Sequence, residues 1–276
     1  MALLPTHPQR LLACLAGACS HQHARVRQAA VEAMVPVAGV GMDEERVRDA
    51  LAPPMRALAW DHSPPVRQAL FRSLGVLLGA RGSQAPSAAL PAFYRELLPL
   101  LLLGVTDESP EIASEALSIV EEVGTTFCAR RAAEGAAGTE PSAGGAEAAG
   151  AAHTPAEVAA AQLPAPYRGL PRREAGEMVG ALLPDVLGPV VKGLREWTVA
   201  LRSGAARALH TMVAVAGDRV VPHLDQMVAA LCGAVLDKEH SVARLALAAV
   251  HVIGALIASQ VGGWGATLVA VVSGKW

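Results

Sequence analysis

The chain repeats itself at a spacing of about 40 residues, and this restricts it to few architectures. Five segments share a polar turn followed by a helical run: ACSHQHARVRQAAVEAM, AWDHSPPVRQALFRSL, VTDESPEIASEALSIV, LREWTVALRSGAARAL and VLDKEHSVARLALAAV. Aligning them gives five anchor residues, Val26, Val66, Ile112, Leu201 and Val242. The gaps between anchors are 40, 46, 89 and 41 residues, and the long gap is one period plus an insertion. A period of about 40–47 residues is typical of stacked pairs of helices.

The apolar residues after each anchor follow the period of an α-helix. Positions four, eight and eleven residues beyond the anchor are apolar in all five copies. Steps of four, four and three stay on one face of a helix, so they predict the buried stripes of five second helices. These positions hold Ala30, Met34 and Val37; Leu70, Leu74 and Leu77; Ala116, Val120 and Val123; Ala205, Leu209 and Met212; and Ala246, Val250 and Ile253.

Apolar segments upstream of the anchors supply the first helix of each pair. The clearest are Phe93–Val105, Glu174–Leu194 and Val221–Leu236. Pro184 and Pro189 are expected to kink or break the second of these, because proline removes a hydrogen bond from a helix interior. We therefore predict an all-α fold, a HEAT/armadillo-like α-solenoid of about five helical-hairpin repeats.

The composition changes between the third and fourth copies. Residues 129–171 are rich in Ala, Gly and Pro and hold few large apolar side chains, so burial cannot offset the entropy of ordering them. We predict HEAT repeats 1–3 in residues 1–128, a disordered insertion in 129–171, HEAT repeats 4–5 in 172–260 and an irregular apolar tail in 261–276. Because clustered glycines replace a polar cap in that tail, we expect the chain to be a fragment or the product of a mis-spliced gene model.

The N-terminal segment admits two interpretations. Arg10 followed by LLACLAGAC has the form of a short signal peptide. The same residues also fit the first helix of repeat 1, and the repeat register favours that interpretation.

Charge, hydropathy and cysteine usage exclude several classes of partner. The net charge of −2 and the pI of about 6.5 do not suit a nucleic-acid-binding protein. No uncharged apolar run reaches the roughly 18–20 residues of a membrane helix, so we expect no membrane association. The four cysteines form no CxxC, so we interpret Cys14, Cys19, Cys128 and Cys232 as reduced, buried thiols in the cytoplasm.

No catalytic, cofactor-binding or metal-binding motif stands out, so we predict that the chain is not an enzyme. HExxH, GxSxG, GxGxxG, the P-loop and the His-Glu dipeptide of HEAT-type hydroxylases are all absent from the sequence. His21 and His23 could be half of a metal site, but solvated turn histidines are the favoured interpretation. His210 and His251 both lie nine residues after their anchors, so they share one helix position.

Acidic residues and arginines recur together around the turns. An acid stands five residues before four of the anchors, where it could cap the second helix, and an arginine directly follows three of them. We predict a structural ladder between repeats that includes Asp61, Arg67, Glu196 and Arg202. The alternative is a basic stripe that binds a partner; the recurrence of acids with arginines favours the ladder.

Two longer stretches resemble a known family. FYRELLPLLLLGVTDESPEIASEALSIVEEVG starts at Phe93, and REWTVALRSGAARAL precedes PHLDQMVAALCGAVLDKEHSVA. Over about Phe93–Phe127 and Leu170–Ile257 the chain resembles the dynein axonemal assembly factor 5 family of HEAT-repeat proteins.

The resemblance implies a non-catalytic cytoplasmic scaffold that assists preassembly of axonemal dynein arms for cilia and flagella. Its partners would be axonemal dynein heavy and intermediate chains, chaperones and other assembly factors. Periodicity alone leaves open a generic HEAT scaffold or adaptor, of the nuclear-transport-carrier or phosphatase-scaffold type.

Overall fold

The fold is built from pairs of helices. A computed structural model describes residues 8–38, 44–82, 92–137 and 171–261. Within these ranges there are ten α-helices and one 3₁₀ helix, and no residue there is in a β-strand. The predicted all-α class of helical-hairpin repeats is confirmed. The chain divides into two compact units, Met1–Arg130 and Arg131–Trp276.

Three helical hairpins form the first unit, apart from the end of the last helix, which continues past Arg130. Their helices are α1 (Pro8–Ala18), α2 (Ala24–Ala38), α3 (Glu44–Leu58), α4 (Pro64–Gly82), α5 (Ala92–Gly104) and α6 (Pro110–Ala137). The first helices α1, α3 and α5 pack in sequence, and α2 packs on α4. First helices pack on first helices and second helices on second helices, which gives the two helical layers expected of this repeat class. Because α1 packs on α2 and α3, it occupies the place of a first helix.

Close approach at Gly104 joins the last helices of this unit. A Cβ atom there would lie 2.8 Å from Cβ of Ala116 on α6 and 2.9 Å from the ring of Phe71 on α4. Only glycine therefore fits without a shift of its neighbours. The hydroxyl of buried Tyr94 donates to the carbonyl of Leu78 at 2.8 Å, which satisfies the polar end of its ring.

The second unit holds two hairpins, α7 (Arg173–Gly193) with α8 (Val199–Ala216) and α9 (Leu224–Val235) with α10 (His240–Val261). A 3₁₀ helix, Gly217–His223, joins α8 to α9. Gly217 has a φ of 61°, which suits glycine as the residue that ends α8. The first helix of repeat 5 was predicted to begin near Val221, but the α-helix begins at Leu224 because the 3₁₀ turns precede it.

Pro184 and Pro189 were predicted to kink or break α7, and the break is wrong. Pro184 and Pro189 both lie inside one continuous helix. Both prolines are exposed, while the opposite face buries Leu183, Val186 and Leu187. Packing of that face keeps the helix in one piece despite the lost hydrogen bonds.

The predicted stripe positions are buried except Ala205 and Val250, which are partly exposed, and burial of the anchors themselves varies. The anchors Val66, Ile112 and Val242 are at most 4% exposed. The anchors Val26 and Leu201 are 37% and 51% exposed. Each of these two residues lies in the first hairpin of its unit, on the second helix of that hairpin. No preceding second helix of the same unit covers it.

The predicted boundaries of the insertion and the thiol environment also need correction. Helix α6 runs to Ala137, nine residues beyond the boundary predicted at 128, because alanine and arginine favour helix. Residues 138–170 and 262–276, which hold most of the predicted insertion and tail, lie outside the described residues. Cys14 and Cys232 are exposed rather than buried, and none of the four cysteines, all of which lie within the described residues, is in a disulfide. No helix within the described ranges is long and apolar enough to cross a membrane.

Candidate protein-interaction surface and inter-repeat ladder

An aspartate closes the turns before α4, α6 and α10, and a hydroxyl caps α6 and α8. Oδ1 of Asp61 accepts the N–H of Ser63 at 2.9 Å, and Oδ1 of Asp107 accepts that of Ser109 at the same distance. The cap of α8 is Thr198, whose Oγ1 accepts the N–H of Leu201 at 3.4 Å. The sequence had suggested that these acids cap the second helix. They instead shape the turn, and each accepts the N–H of the residue two positions later.

Arg27 joins the first two repeats of unit 1. Its Nε and Nη2 donate to the two carboxylate oxygens of Asp61, the second at 2.7 Å. Its Nη1 donates to the carbonyl oxygens of His21 at 2.8 Å and Gln22 at 3.0 Å. One guanidinium thus binds the backbone of its own turn and the carboxylate of the next turn.

Arg67 makes the same set of contacts one repeat later. Nε donates to Oδ2 of Asp107 at 2.7 Å, and Nη2 donates to Oδ1 at 2.9 Å. Nη1 donates to the carbonyl oxygen of Asp61 at 2.7 Å. The Arg67 and Asp107 side chains are only 11% and 5% exposed, so this ion pair is largely removed from water.

Arg202 repeats the arrangement in unit 2. Its Nε and Nη2 donate to Asp237 at 2.7 and 3.2 Å. Its Nη1 donates to the carbonyl oxygens of Glu196 at 3.1 Å and Trp197 at 2.8 Å. The ladder thus consists of three arginines, each pairing with the aspartate of the following turn.

Of the four residues predicted for the ladder, the structure joins Asp61 to Arg67 and Glu196 to Arg202 through backbone carbonyls. The side-chain partners Arg27, Asp107 and Asp237 were not among those four. They occupy the same repeat positions, one after or five before an anchor, and that signal could have identified them. The stabilising role of the ladder stays a prediction.

The ion pairs shift the pKa values of the groups that form them. Burial opposes ionisation of Asp61, but hydrogen bonds from Arg27 and from the N–H of Ser63 outweigh it and lower the Asp61 pKa. The hydrogen bond from Arg202 lowers the pKa of Asp237 and in turn raises that of Arg202. These guanidinium groups are therefore engaged by fixed charges, which argues against a basic stripe open to a partner.

A less buried ion pair runs beside the ladder. Arg72 on α4 pairs with Glu115 on α6, and Gln68 donates to the same carboxylate at 2.6 Å. The Arg72 and Glu115 side chains are 59% and 30% exposed. Helix α4 thus carries one arginine in a buried ion pair with the turn before α6 and one in a more exposed ion pair with α6 itself.

Unit 2 presents an apolar patch at its turns. Trp197 is 88% exposed and Leu236 is 83% exposed, each in the turn before a second helix. Arg202 ties these two turns together through the Trp197 carbonyl and the Asp237 carboxylate. Leu201 adds further exposed apolar surface at the start of α8. Exposed tryptophan on a fixed backbone is typical of a protein contact.

The histidines that the structure describes form no cluster with the chemistry of a metal site. Nδ1 of His21 accepts the N–H of His23 at 3.1 Å, so one ring nitrogen serves the turn. Among the described residues no group of three or more His, Cys, Asp or Glu could hold a metal ion. His210 is 4% exposed, whereas His251 at the equivalent repeat position is exposed.

The sequence is similar to a set of curated proteins. A family model described as "Dynein axonemal assembly factor 5-like, TPR repeats" matches residues 5–131. Dynein axonemal assembly factor 5 from Mus musculus is 28% identical over 258 residues, covering 92% of this chain and 27% of that protein. The Homo sapiens protein is 27% identical over 260 residues, with the same coverages of 92% and 27%. The chain thus spans about a quarter of the length of these relatives.

TPR repeats are also helical hairpins, but their period is about 34 residues. The spacings of 40, 46 and 41 residues found here are those of HEAT-type hairpins.

Two solved structures are also similar over most of the chain. An engineered protein is 14% identical with a TM-score of 0.34, covering 90% of this chain and 97% of its own. A computationally designed armadillo repeat protein for modular peptide recognition is 15% identical with a TM-score of 0.33, covering 87% and 81%. TM-scores this low do not establish a shared fold. The helical-hairpin architecture is seen directly in the described helices.

Proposed function

We propose that this chain, which is related to the dynein axonemal assembly factor 5 family, is a non-catalytic scaffold for the preassembly of axonemal dynein arms. The relationship confirms the resemblance seen in the sequence, and it extends from the Phe93–Phe127 and Leu170–Ile257 stretches to about nine tenths of the chain. That coverage is the observation that carries the proposal. We place the activity in the cytoplasm, where dynein arms would be assembled before they enter cilia or flagella.

The partners we propose are axonemal dynein heavy and intermediate chains, together with chaperones and other assembly factors. Stacked hairpins offer a long surface to a large partner, and the ladder holds successive turns in register. The apolar patch around Trp197 and Leu236 is the surface we assign to that contact. A tryptophan that becomes buried when a partner binds often dominates the binding free energy of a protein interface.

Nothing in the proposed role requires turnover of a substrate. The guanidinium and carboxylate groups of the ladder are engaged with one another across repeats. A scaffold that binds unassembled dynein subunits stabilises them by mass action, and this requires affinity but no chemical step. We therefore propose that the chain acts by holding subunits.

Affinity capture from ciliated cells tests the proposal. The full chain should capture dynein heavy or intermediate chains, and Trp197→Ala should weaken the capture at least several-fold without changing helix content. Val76→Ala is the matched control, because Val76 is a 54% exposed apolar residue on α4 in unit 1. Capture of nuclear-transport factors or phosphatase subunits instead of dynein would favour the generic adaptor.

Deletion of the gene in a ciliated cell tests the biological role. We expect axonemes that are otherwise built but lack dynein arms, with dynein chains depleted in the cytoplasm. Electron micrographs of axoneme cross-sections give the readout. Intact outer and inner arms with normal beating would refute the assembly role and leave only a generic scaffold.

A further inference from the structure

His210 on α8 is a buried polar group that neither the ladder nor the helix caps use. It is 4% exposed, and neither ring nitrogen has a hydrogen-bond partner among the described residues. The adjacent Thr211 is fully buried, and its Oγ1 has no partner within the same residues. Buried polar atoms are usually paired, so α8 holds two groups whose hydration is lost without replacement.

The imidazole has no counter-charge buried beside it. Helix α8 packs against α7, α10 and the 3₁₀ helix. The titratable side chains on these elements and on α8 itself are all at least partly exposed, in contrast to His210. They are Arg173, Glu174, Glu177, Asp185 and Lys192 on α7; Arg202 and Arg207 on α8; Asp218, Arg219 and His223 on the 3₁₀ helix; and His240, Arg244 and His251 on α10.

Repeat equivalence indicates which neighbour covers His210. The residue nine positions after the anchor of α4 is Gly75, where a Cβ atom would meet the side chain of Ile119 on the next second helix. His210 holds the same position on α8, and the next second helix is α10, which packs against it. His251 holds this position on α10 and is exposed. His210 therefore lies on the side of α8 that meets α10.

We infer that His210 is an acid-sensitive element of repeats 4 and 5, whose protonation loosens the packing of α8 against α10. Neutral imidazole is tolerated in this apolar contact, but the imidazolium ion would bring a charge with no partner. The inference concerns the fold of the chain and stands apart from the identity of its partner.

The sign of the pH dependence follows from burial. Burial lowers the pKa of His210 below the ordinary value of 6.5. Once pH falls below 6.5 the open state binds a proton that the packed state does not. The equilibrium constant for opening then rises by up to about tenfold per pH unit, until the lowered pKa is reached. Above that range the opening constant does not depend on this group.

Hydrogen exchange of the full chain, measured by mass spectrometry at pH 7.5, 6.5 and 5.5, tests the inference. After correction for intrinsic exchange, protection in α8 and α10 should fall by up to about tenfold from pH 6.5 to 5.5. Peptides of α4 in unit 1 serve as the internal reference. His210→Leu should abolish the fall, because leucine does not titrate.

Two control variants separate titration from general loosening. Thr211→Val removes the neighbouring buried hydroxyl, so it should raise protection by the same factor at each pH and keep the fall. His251→Gln removes the exposed histidine at the equivalent position and should also keep the fall. An unchanged fall in His210→Leu, or its loss in His251→Gln, would overturn the inference.

A measurement on the unmodified chain covers the case in which His210→Leu does not fold. The imidazole resonance of His210, followed by NMR from pH 7.5 to 5.5, should report a neutral ring for as long as α8 stays protected. A ring that becomes protonated near pH 6.5 in the folded chain would overturn the inference.

Discussion

Replacing Arg67 with leucine tests whether the ladder stabilises the stack of repeats. The guanidinium makes three hydrogen bonds, to both carboxylate oxygens of Asp107 and to the carbonyl of Asp61, all between 2.7 and 2.9 Å. Leucine keeps the apolar stem of the side chain but removes every one of these bonds. It also leaves the Asp107 carboxylate, 5% exposed, without its counter-ion.

The expected loss of stability follows from that burial. Removing one partner of a buried ion pair costs about 3–5 kcal/mol, whereas an exposed pair contributes about 0–1 kcal/mol. Arg67 retains 11% exposure, and the carboxylate of Asp107 keeps its bond from the N–H of Ser109. We therefore expect the lower end of the range, about 3 kcal/mol. A domain stabilised by about 5–15 kcal/mol would lose a large share of its stability.

A double-mutant cycle isolates the pair itself. Arg67→Leu, Asp107→Ala and the double variant should give a coupling free energy of about 1.5–3 kcal/mol in urea unfolding followed by circular dichroism. Arg72→Leu with Glu115→Ala, which also joins α4 to the following repeat, is the matched control, and its coupling should be below about 1 kcal/mol. Equal coupling in the two cycles, or none in the first, would refute the reasoning.

Three further perturbations probe other parts of the structure. Leu209→Pro, at a buried position inside α8, should cost about 3 kcal/mol or more through the lost hydrogen bond and ring clash, and a shift of the unfolding midpoint measures it. Thr198→Ala removes the cap of α8 and should cost about 0.5–1 kcal/mol in the same assay. The pKa values of Asp61 and Asp237 are lowered, so the free energy of unfolding gains from both above the ordinary aspartate pKa of 3.8 and loses this gain as pH falls below it. An acid titration of Asp61→Asn should show a smaller loss than the unmodified chain.

Much of the fold could be predicted because it depends on spacing. The steps of four, four and three after each anchor require an amphipathic helix, and stacked hairpins bury such stripes whatever side chains fill them. The exposure of Val26 and Leu201 could not be predicted from this spacing. The apolar steps that follow them are the same as those after Val66, whereas their place at the start of a compact unit is a property of the fold.

The continuity of α7 depends on packing that a local rule does not include. A proline removes one hydrogen bond, but the helix containing Pro184 and Pro189 buries an apolar face along its length. The loss is local, whereas the packing is summed over several turns, so the helix persists. The extension of α6 to Ala137 has the opposite origin, because there the intrinsic helix propensity of alanine and arginine is sufficient without a large apolar face.

The ladder shows why a spacing within one repeat was a poor guide to side-chain partners. Asp61 and Arg67 are six residues apart and do meet, but through the aspartate backbone carbonyl. The carboxylate of Asp61 pairs instead with Arg27, 34 residues earlier, and Arg67 pairs with Asp107, 40 residues later. A shift of about one repeat is what stacking brings into contact, because equivalent turns lie next to one another in the layer.

The same logic explains where the ladder stops. A rung needs an arginine after the anchor of one repeat and an acid before the anchor of the next. Repeat 3 has Ala113 after its anchor, and alanine has no side-chain donor, so this repeat supplies no rung. Among the described residues, the rungs are those of Arg27 and Arg67 in the first unit and of Arg202 in the second. Residue type at one position of the period thus decides which neighbouring turns are tied together.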